Sequence, residues 1–293
     1  MNKENILKAG KIAQEVSVYA KKIIKKNIRL LEIAEKIEEK IFELGGEPAF
    51  PVNLSIDEIA AHYTPSYDDE NVAHGLLKVD LGVHIEGCVA DTAFTIDLEN
   101  SEENKKLIEA AENALDNAIK EFRLGKTLSE IGGVIENSIR KKGFSPIINL
   151  SGHSMEEYDL HAGITIPNID NKSQEIIEEG LFAIEPFSTN GNGKVSDGKL
   201  SGIYVLIDPK NVRGAIAREV LDYIIENFDG LPFCSRWLME EFGTKALLGL
   251  RQLETNGNLH HFAQLVETGK GKVAQAEHTI LVEKNKTITT TKA

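Results

Sequence analysis

Cysteine is scarce: Cys88 and Cys234 are the two present, far apart and in unrelated contexts. Neither a disulfide framework nor a thiolate metal site is indicated, so any metal must be held by oxygen and imidazole. Long apolar runs are missing too, and none approaches the ~18 residues that a membrane-spanning helix needs. At the amino terminus Lys3, Glu4 and Lys8 interrupt any apolar signal core, which leaves a soluble cytoplasmic chain without membrane contact as the expectation. Positive charge is also short. Against 46 Asp and Glu stand 33 Lys and Arg, for a formal charge of −13, which repels a phosphate backbone and argues against nucleic-acid binding while favouring cations. One local feature runs the other way: Lys21, Lys22, Lys25, Lys26 and Arg29 are spaced as a basic stripe along a helix. It reads either as a solvated face or as a contact for an anionic partner such as ribosomal RNA.

What is present is an ordinary globular composition, 41% hydrophobic and 27% charged over 293 residues, enough for one large domain or two smaller ones. Apolar residues at helical spacing predict helices over Asn2 to Ile24 and Ile28 to Leu44, the second stopped by Gly45 and Gly46. Further helices are expected at Ser101 to Phe122 and, behind the capping box Thr127 to Glu130, at Leu128 to Lys142. Asp208 and Pro209 suit the start of a helix reaching Phe228, with another over Arg236 to Phe242. Strands are expected at Leu76 to Val83, Val89 to Ile96, Leu181 to Glu185, Ile203 to Ile207 and Val273 to Val282. Blocks of this kind give an α+β fold, in which 190–259 reads as an inserted helical subdomain with no strongly placed chemical group.

The most informative segment is VDLGVHIEGCVADTAF, two apolar strands flanking a turn at His84 to Gly87. Centring the hairpin between Ile85 and Glu86 sets Asp80 opposite Asp91 on one sheet face, with Cβ atoms about 5 Å apart. Two like charges so placed call for protonation of one carboxylate or for a cation between them. Glu185, ending GLFAIEP's apolar run, and Glu277, inside VAQAEHTILV, are carboxylates in apolar strands, where an unpaired charge is costly. Lys78, Lys194 and Lys272 fall at loop or strand edges and offer flexible point charges instead of fixed partners. SGHSMEEYDLHAG adds His153 and His161, of which one could ligate and the other could touch substrate. His74, His84, His260, His261 and His278 read as structural, as does His62 on sequence alone. Four carboxylates and an imidazole make an oxygen-rich site suited to manganese, iron(II) or cobalt and tolerant of zinc, and four negative ligands favour two cations over one. Such a pair activates water for attack on a carbonyl. GNGK at Gly191 to Lys194 and GKGK at Gly269 to Lys272 lack the spacing of a phosphate loop.

The order Asp80, Asp91, Gly-His at His153, Ile-Glu-Pro at Glu185 and Gln-Ala-Glu-His-Thr at Glu277 resembles the methionine aminopeptidases of the pita-bread (creatinase/aminopeptidase) fold over nearly the whole chain. AFPVNLSIDEIAAHYTP at Ala49 to Pro65 is a further match. The long stretch between Glu185 and Glu277 is similar to the helical insertion of type II members, and the early start of the catalytic region to archaeal ones. The resemblance implies a single catalytic domain over 1–293 carrying two divalent metal ions (cobalt, manganese, iron(II) or zinc). Asp80 would chelate one ion, Asp91 and Glu277 would bridge both, and His153 and Glu185 would complete the second site. It also implies that Glu185 shuttles a proton and that His62 and His161 contact the scissile amide and its carbonyl oxygen. Phe50, Leu160 and Phe262 would line the methionine pocket. Implied substrates are nascent polypeptides with N-terminal methionine and a small second residue, acted on by a monomer with at most weak ribosome association. Two alternatives share the fold. Xaa-Pro peptidases usually carry an extra amino-terminal domain, for which the segment before Asp80 leaves no room, and non-catalytic pita-bread binding proteins have lost ligands that persist here.

Overall fold

The computed structural model describes residues 1–292. Helix α1 (Lys3–Ile23) starts where the Asn2 side chain accepts the Glu4 N–H at 2.9 Å, and α2 (Leu30–Glu43) follows after a turn through Asn27 at φ 69°. Strands β1 (Glu47–Ile56) and β2 (Ile59–Ala61) lead to the hairpin β3 (Leu76–Ile85) and β4 (Cys88–Asp97). Helices α3 (Glu102–Glu121) and α4 (Leu128–Lys141) come next, the latter with the expected capping box between Thr127 and Glu130. Then come β5 (Ser145–Pro146), β6 (Ser151–Met155), β7 (Thr165–Pro167), β8 (Gly180–Ile184), β9 (Phe187–Thr189) and the long β10 (Val195–Leu206). Helix α5 (Ala215–Phe228), β11 (Phe233–Cys234), α6 (Ser235–Phe242) and α7 (Lys245–Asn256) precede β12 (Leu259–Glu267), β13 (Val273–Gln275), β14 (His278–Glu283) and β15 (Lys286–Thr289).

Two layers follow from the apolar faces of these elements. Helices α1 and α2 bury Ala9, Ala13, Val16, Ile33 and Ile37 against Val52, Leu77, Val79 and Leu81 of the sheet β1-β3-β4. Helices α3 and α4 bury Leu107, Ala111, Leu115, Ile131 and Ile135 against Phe182, Ile184 and Ile280 of the sheet β15-β14-β8-β6-β7. Between the layers Phe50, Val89, Met155, Leu181 and Leu281 form a third cluster, so the uncovered faces of the two sheets meet there. A further sheet, β11-β10-β12-β2, closes one side of that seam. Among the described residues no helix is long and apolar enough to cross a membrane.

Several expectations are corrected. The hairpin turns at Glu86 and Gly87, not between Ile85 and Glu86, with φ of 48° and 74° and Ile85 paired to Cys88. Positive φ at both central residues is what a two-residue turn between twisted strands requires, and glycine supplies it most cheaply. Asp80 therefore faces Ala93 and Asp91 faces Gly82; the carboxylates share a face but stand diagonally, not opposite. The strand expected from Val273 to Val282 is two strands, β13 on β9 and β14 on β8, with Glu277 in the break. Asp208 does not start a helix: α5 is capped by Gly214. The Asn258 amide donates to the carbonyls of Asp208 and Lys210 at 2.8 and 2.6 Å and pins that stretch outside the helix. Nor is there one basic stripe, because α1 ends at Ile23. Lys21 lies 4.6 Å over the Phe94 ring, Lys26 pairs with Glu99 at 2.8 Å and Arg29 donates to the Asp69 carbonyl at 2.7 Å.

The glycine-rich loops have an internal occupant. The Glu267 carboxylate, fully buried, accepts the N–H groups of Gly193, Gly269 and Gly271 at 3.0, 2.7 and 2.9 Å, filling the kind of backbone nest that otherwise takes an anion. Helices α5 to α7 pack on one another around Val220, Leu221, Leu238 and Leu250, and this region does hold a strongly placed charge. Arg236 of α6 meets Glu38 of α2 in a two-pronged pair at 2.7 and 2.8 Å, and Glu38 also accepts Trp237 Nε1–H at 2.9 Å and the Val52 N–H at 3.2 Å. Both partners are buried, 2% and 5% exposed. Removing one partner of such a pair strands the other charge, so Arg236→Met is expected to lower unfolding free energy by roughly 3–5 kcal/mol. Adding Glu38→Met should restore part of that loss in urea titrations.

Candidate metal centre

Each acidic candidate reaches the seam between the sheets from a different element. Asp80 and Asp91 come from β3 and β4, His153 from β6, Glu185 from the end of β8, and Glu277 from the β13–β14 break. His153 Nε2 lies 3.6 Å from Asp91 Oδ2 and 3.9 Å from Glu185 Oε1. One ligand atom each of Asp91, His153 and Glu277 falls within 4.8 Å of the others. Asp91, His153 and Glu277 are 3%, 5% and 1% exposed, while Asp80 and Glu185 keep an edge toward the cleft. The structure thus gathers all five residues in one place.

Electrostatics there is severe. Burial pushes the Asp80 carboxyl up to about 7. Burial first, and then the neighbouring carboxylates, drive Asp91, Glu185 and Glu277 well above the usual range. His153 is lowered to about 3, mainly by burial, so its approaches to Asp91 and Glu185 are those of a neutral imidazole and not ion pairs. Asp80 Oδ1, Asp91 Oδ1, His153 Nδ1 and Glu277 Oε2 are buried without any hydrogen-bond partner in the protein. Carboxylates crowded round a neutral imidazole, with orphaned atoms on Asp80, Asp91, Glu277 and His153, are the donor set of a divalent cation, and the residues present fit that group.

Polar groups that the sequence did not single out fix these side chains. Gln275 Nε2 donates to Asp80 Oδ2 at 3.2 Å and to Glu185 Oε2 at 3.4 Å, tying carboxylates of two layers together. The Thr279 hydroxyl accepts the Asp91 N–H at 2.7 Å and donates to the Asp91 carbonyl at 2.8 Å. Thr92 Oγ1 donates to the Glu277 carbonyl at 2.9 Å. Lys78, expected as a flexible charge at a strand edge, is 1% exposed within β3. Its Nζ reaches the carbonyls of Asp57, Leu76 and Val273 at 2.9, 3.4 and 2.8 Å, which anchors the start of β13. Threonines in strands and an isolated glutamine look like β-propensity in a sequence; nothing local marks them.

The cleft is a cavity of about 310 Å³ lined by all five residues together with Phe50, His62, Leu160, His161 and Phe262. Phe50 fits because Gly82, its cross-strand neighbour, has no side chain: a Cβ there would lie 2.3 Å from the ring. His62 follows β2 at φ 63°, its ring edge-on to Phe262 at 5.4 Å, and Nδ1 approaches the Ala263 carbonyl at 3.2 Å. That carbonyl can only accept, so Nδ1 carries the proton and Nε2 is a free lone pair. Burial lowers His62 to about 4. The His161 ring stands 4.4 Å from that of His153, and its pKa is also lowered by burial.

Residues 4–284 match Metallopeptidase family M24, and the chain belongs to that family. It is 47% identical to the methionine aminopeptidase of Pyrococcus horikoshii over 99% of this chain and 100% of that one. Among solved structures it is similar to a thermophilic Arx1, with TM-score 0.82, 14% identity, and coverage of 99% of this chain and 91% of that one. It is also similar to the Thermotoga maritima methionine aminopeptidase, with TM-score 0.72, 21% identity, and coverage of 100% and 98%. The α+β pita-bread fold and the family expected from the motifs are both borne out, and the chain is a metallopeptidase.

Because Asp80 holds its proton below about pH 7 in the metal-free protein, loading a divalent ion at pH 6 must expel protons. Calorimetry in buffers of different ionisation enthalpy should show net proton release, with the share owed to Asp80 falling as the pH is raised above about 7. Uptake, or no exchange at pH 6, would contradict the protonated cluster.

Proposed function

We propose that the chain is a dinuclear metal-dependent aminopeptidase that removes N-terminal methionine from nascent polypeptides, with a small second residue preferred. The observation that carries this reading is the meeting of five buried or nearly buried ligand atoms with an apolar cavity walled by Phe50, Leu160 and Phe262. Its relative from Pyrococcus horikoshii supplies the substrate class. In this reading Asp80 would help to hold one divalent ion, Asp91 and Glu277 would serve both, and His153 and Glu185 would hold the second. Cobalt, manganese, iron(II) and zinc all suit that donor set. When bound, two such ions contribute Lewis acidity that activates water and stabilises charge on the scissile carbonyl oxygen.

The chain's own groups do the rest. Glu185, with a pKa raised by burial and by Asp80 and Asp91, is suited to take a proton from the attacking water and pass it to the leaving amine. His62 Nε2, kept as an acceptor by the Ala263 carbonyl, receives the N–H of the scissile amide. His161 donates to its carbonyl oxygen. Phe50, Leu160 and Phe262 take the unbranched thioether side chain, which packs without a polar partner. The enzyme is read as a cytoplasmic monomer of one catalytic domain, 1–293, with 190–259 as an inserted subdomain. After α1, Lys26 is paired with Glu99 and Arg29 with the Asp69 carbonyl, and in this reading any ribosome association is weak.

Protein stripped with chelator and reloaded with manganese, iron(II) or cobalt should cleave Met-Ala-Ser and leave Ala-Pro intact. Failure of every metal to restore cleavage of either peptide would remove the enzyme reading, and cleavage of Ala-Pro alone would make it an Xaa-Pro peptidase. Glu277→Gln should abolish activity and lower metal content, whereas His161→Ala should keep the metals and slow turnover by about 10²–10⁴-fold, the usual range for a lost proton-transfer or polarising group. Equal metal loss in both variants would mean that the roles are wrongly divided.

A further inference from the structure

Strand β1 carries an irregularity at the cleft. Phe50 pairs with Gly82 and Asn53 with Asp80, so three steps along β1 correspond to two along β3. In an unbroken strand, residues three apart point to opposite faces. The extra residue re-aims the chain, as bulges beside functional sites do, and puts both Phe50 and Asn53 on the face that lines the cleft. Pro51 falls inside this bulge, where its missing N–H breaks no ladder bond.

Asn53 is 5% exposed. Its Nδ2 donates to the Pro51 carbonyl at 2.7 Å; since that carbonyl can only accept, the contact fixes which end of the amide is nitrogen. Oδ1 is left buried with no partner in the protein. A buried acceptor without a donor is a standing cost that a native structure keeps only for a reason. The side chains that share its sheet face supply no donor once the carboxylates are ionised to hold a metal: Asp80 is opposite, with Asp91 and Ala93 beyond it on β4. The ligand set proposed above is complete without it.

We propose that Asn53 Oδ1 is the acceptor for the α-amino group of the peptide's first residue, with Phe50 on the same bulged strand contacting that residue's side chain. The inference rests on the aminopeptidase reading and deepens it. Asn53 lines the cleft, so an entering ligand can bring the donor, and the group that distinguishes an aminopeptidase substrate from an internal peptide segment is a free amine, which has at least two N–H donors in either protonation state. A neutral amide supplies the acceptor without adding a fifth negative charge to the cluster. One short stretch, Phe50 to Asn53, thereby reads both the terminus and the residue type.

The test uses manganese-loaded full-length protein, with calorimetric binding of L-methionine and of its des-amino analogue 4-(methylthio)butanoate. Asn53→Leu keeps the volume and Asn53→Ala opens it; both remove the acceptor. Each variant should bind L-methionine roughly tenfold more weakly, in line with a lost hydrogen bond to an amine, and bind the analogue as the wild type does, with metal content unchanged. The KM for Met-Ala-Ser should rise in step, with kcat less affected. An equal loss for both ligands, no loss for either, or a fall in metal content would overturn the assignment. Wild-type protein that cleaves Met-Ala-Ser while the variants keep their methionine affinity would overturn only the role of Asn53. Wild-type protein that binds neither ligand and cleaves nothing would overturn the aminopeptidase reading itself.

Discussion

Four carboxylates share one buried seam, and their mutual repulsion sets the terms for the rest of the structure. Burial already disfavours each negative charge, and each neighbour disfavours it further, so the shifts of Asp91, Glu185 and Glu277 are driven the same way by both causes. Folding keeps these groups together only because they are carried on elements whose apolar faces are buried elsewhere. The helix pairs α1/α2 and α3/α4 each bury one sheet on its outer side. The two inner faces are thereby free to converge, and the charge is concentrated where they meet.

Neutral polar groups make that concentration tolerable. Threonine hydroxyls and the Gln275 amide cross from one layer to the other at Asp91, Glu277, Asp80 and Glu185. Hydrogen bonds of this kind hold a side chain in place without adding charge, as the outer partners of metal ligands do. Elsewhere the same problem has other solutions. Glu267 is satisfied by three backbone N–H groups, and Glu38 by a guanidinium, an indole and a backbone amide. Among the described residues, buried carboxylate atoms without a partner occur only at the seam, on Asp80, Asp91 and Glu277, and this contrast within one chain singles it out as the candidate centre.

Much of this was legible in the sequence, for identifiable reasons. The helices were read to within a residue or two where a cap or a periodic stripe decided them, as at Thr127 and along α1. Asp208 misled because its capping chemistry was real but a distant side chain, Asn258, held the following residues out of the helix. The hairpin is legible in the sequence but its centre lies one residue further on than strand spacing suggests, because positive φ at Glu86 and Gly87 makes those two residues the turn. Asp80 and Asp91 share a face with either centre, because moving it by one full residue changes each facing partner by two positions. Gln275, Thr279, Lys78 and Asn53 were not legible, since their roles depend on atoms brought from elsewhere in the chain.

The bulge in β1 has a bearing on how such a protein can vary. Side-chain direction along a strand works like a reading frame of two, and the additional residue between Phe50 and Asn53 shifts that frame. Pairing this stretch regularly, without the bulge, would leave every side chain chemically unchanged yet send Asn53 into the helix-facing layer and its apolar neighbour Val52 into the cleft. Which side chains line the cleft is thus set partly by spacing, and a change in strand register can alter the lining without replacing any residue.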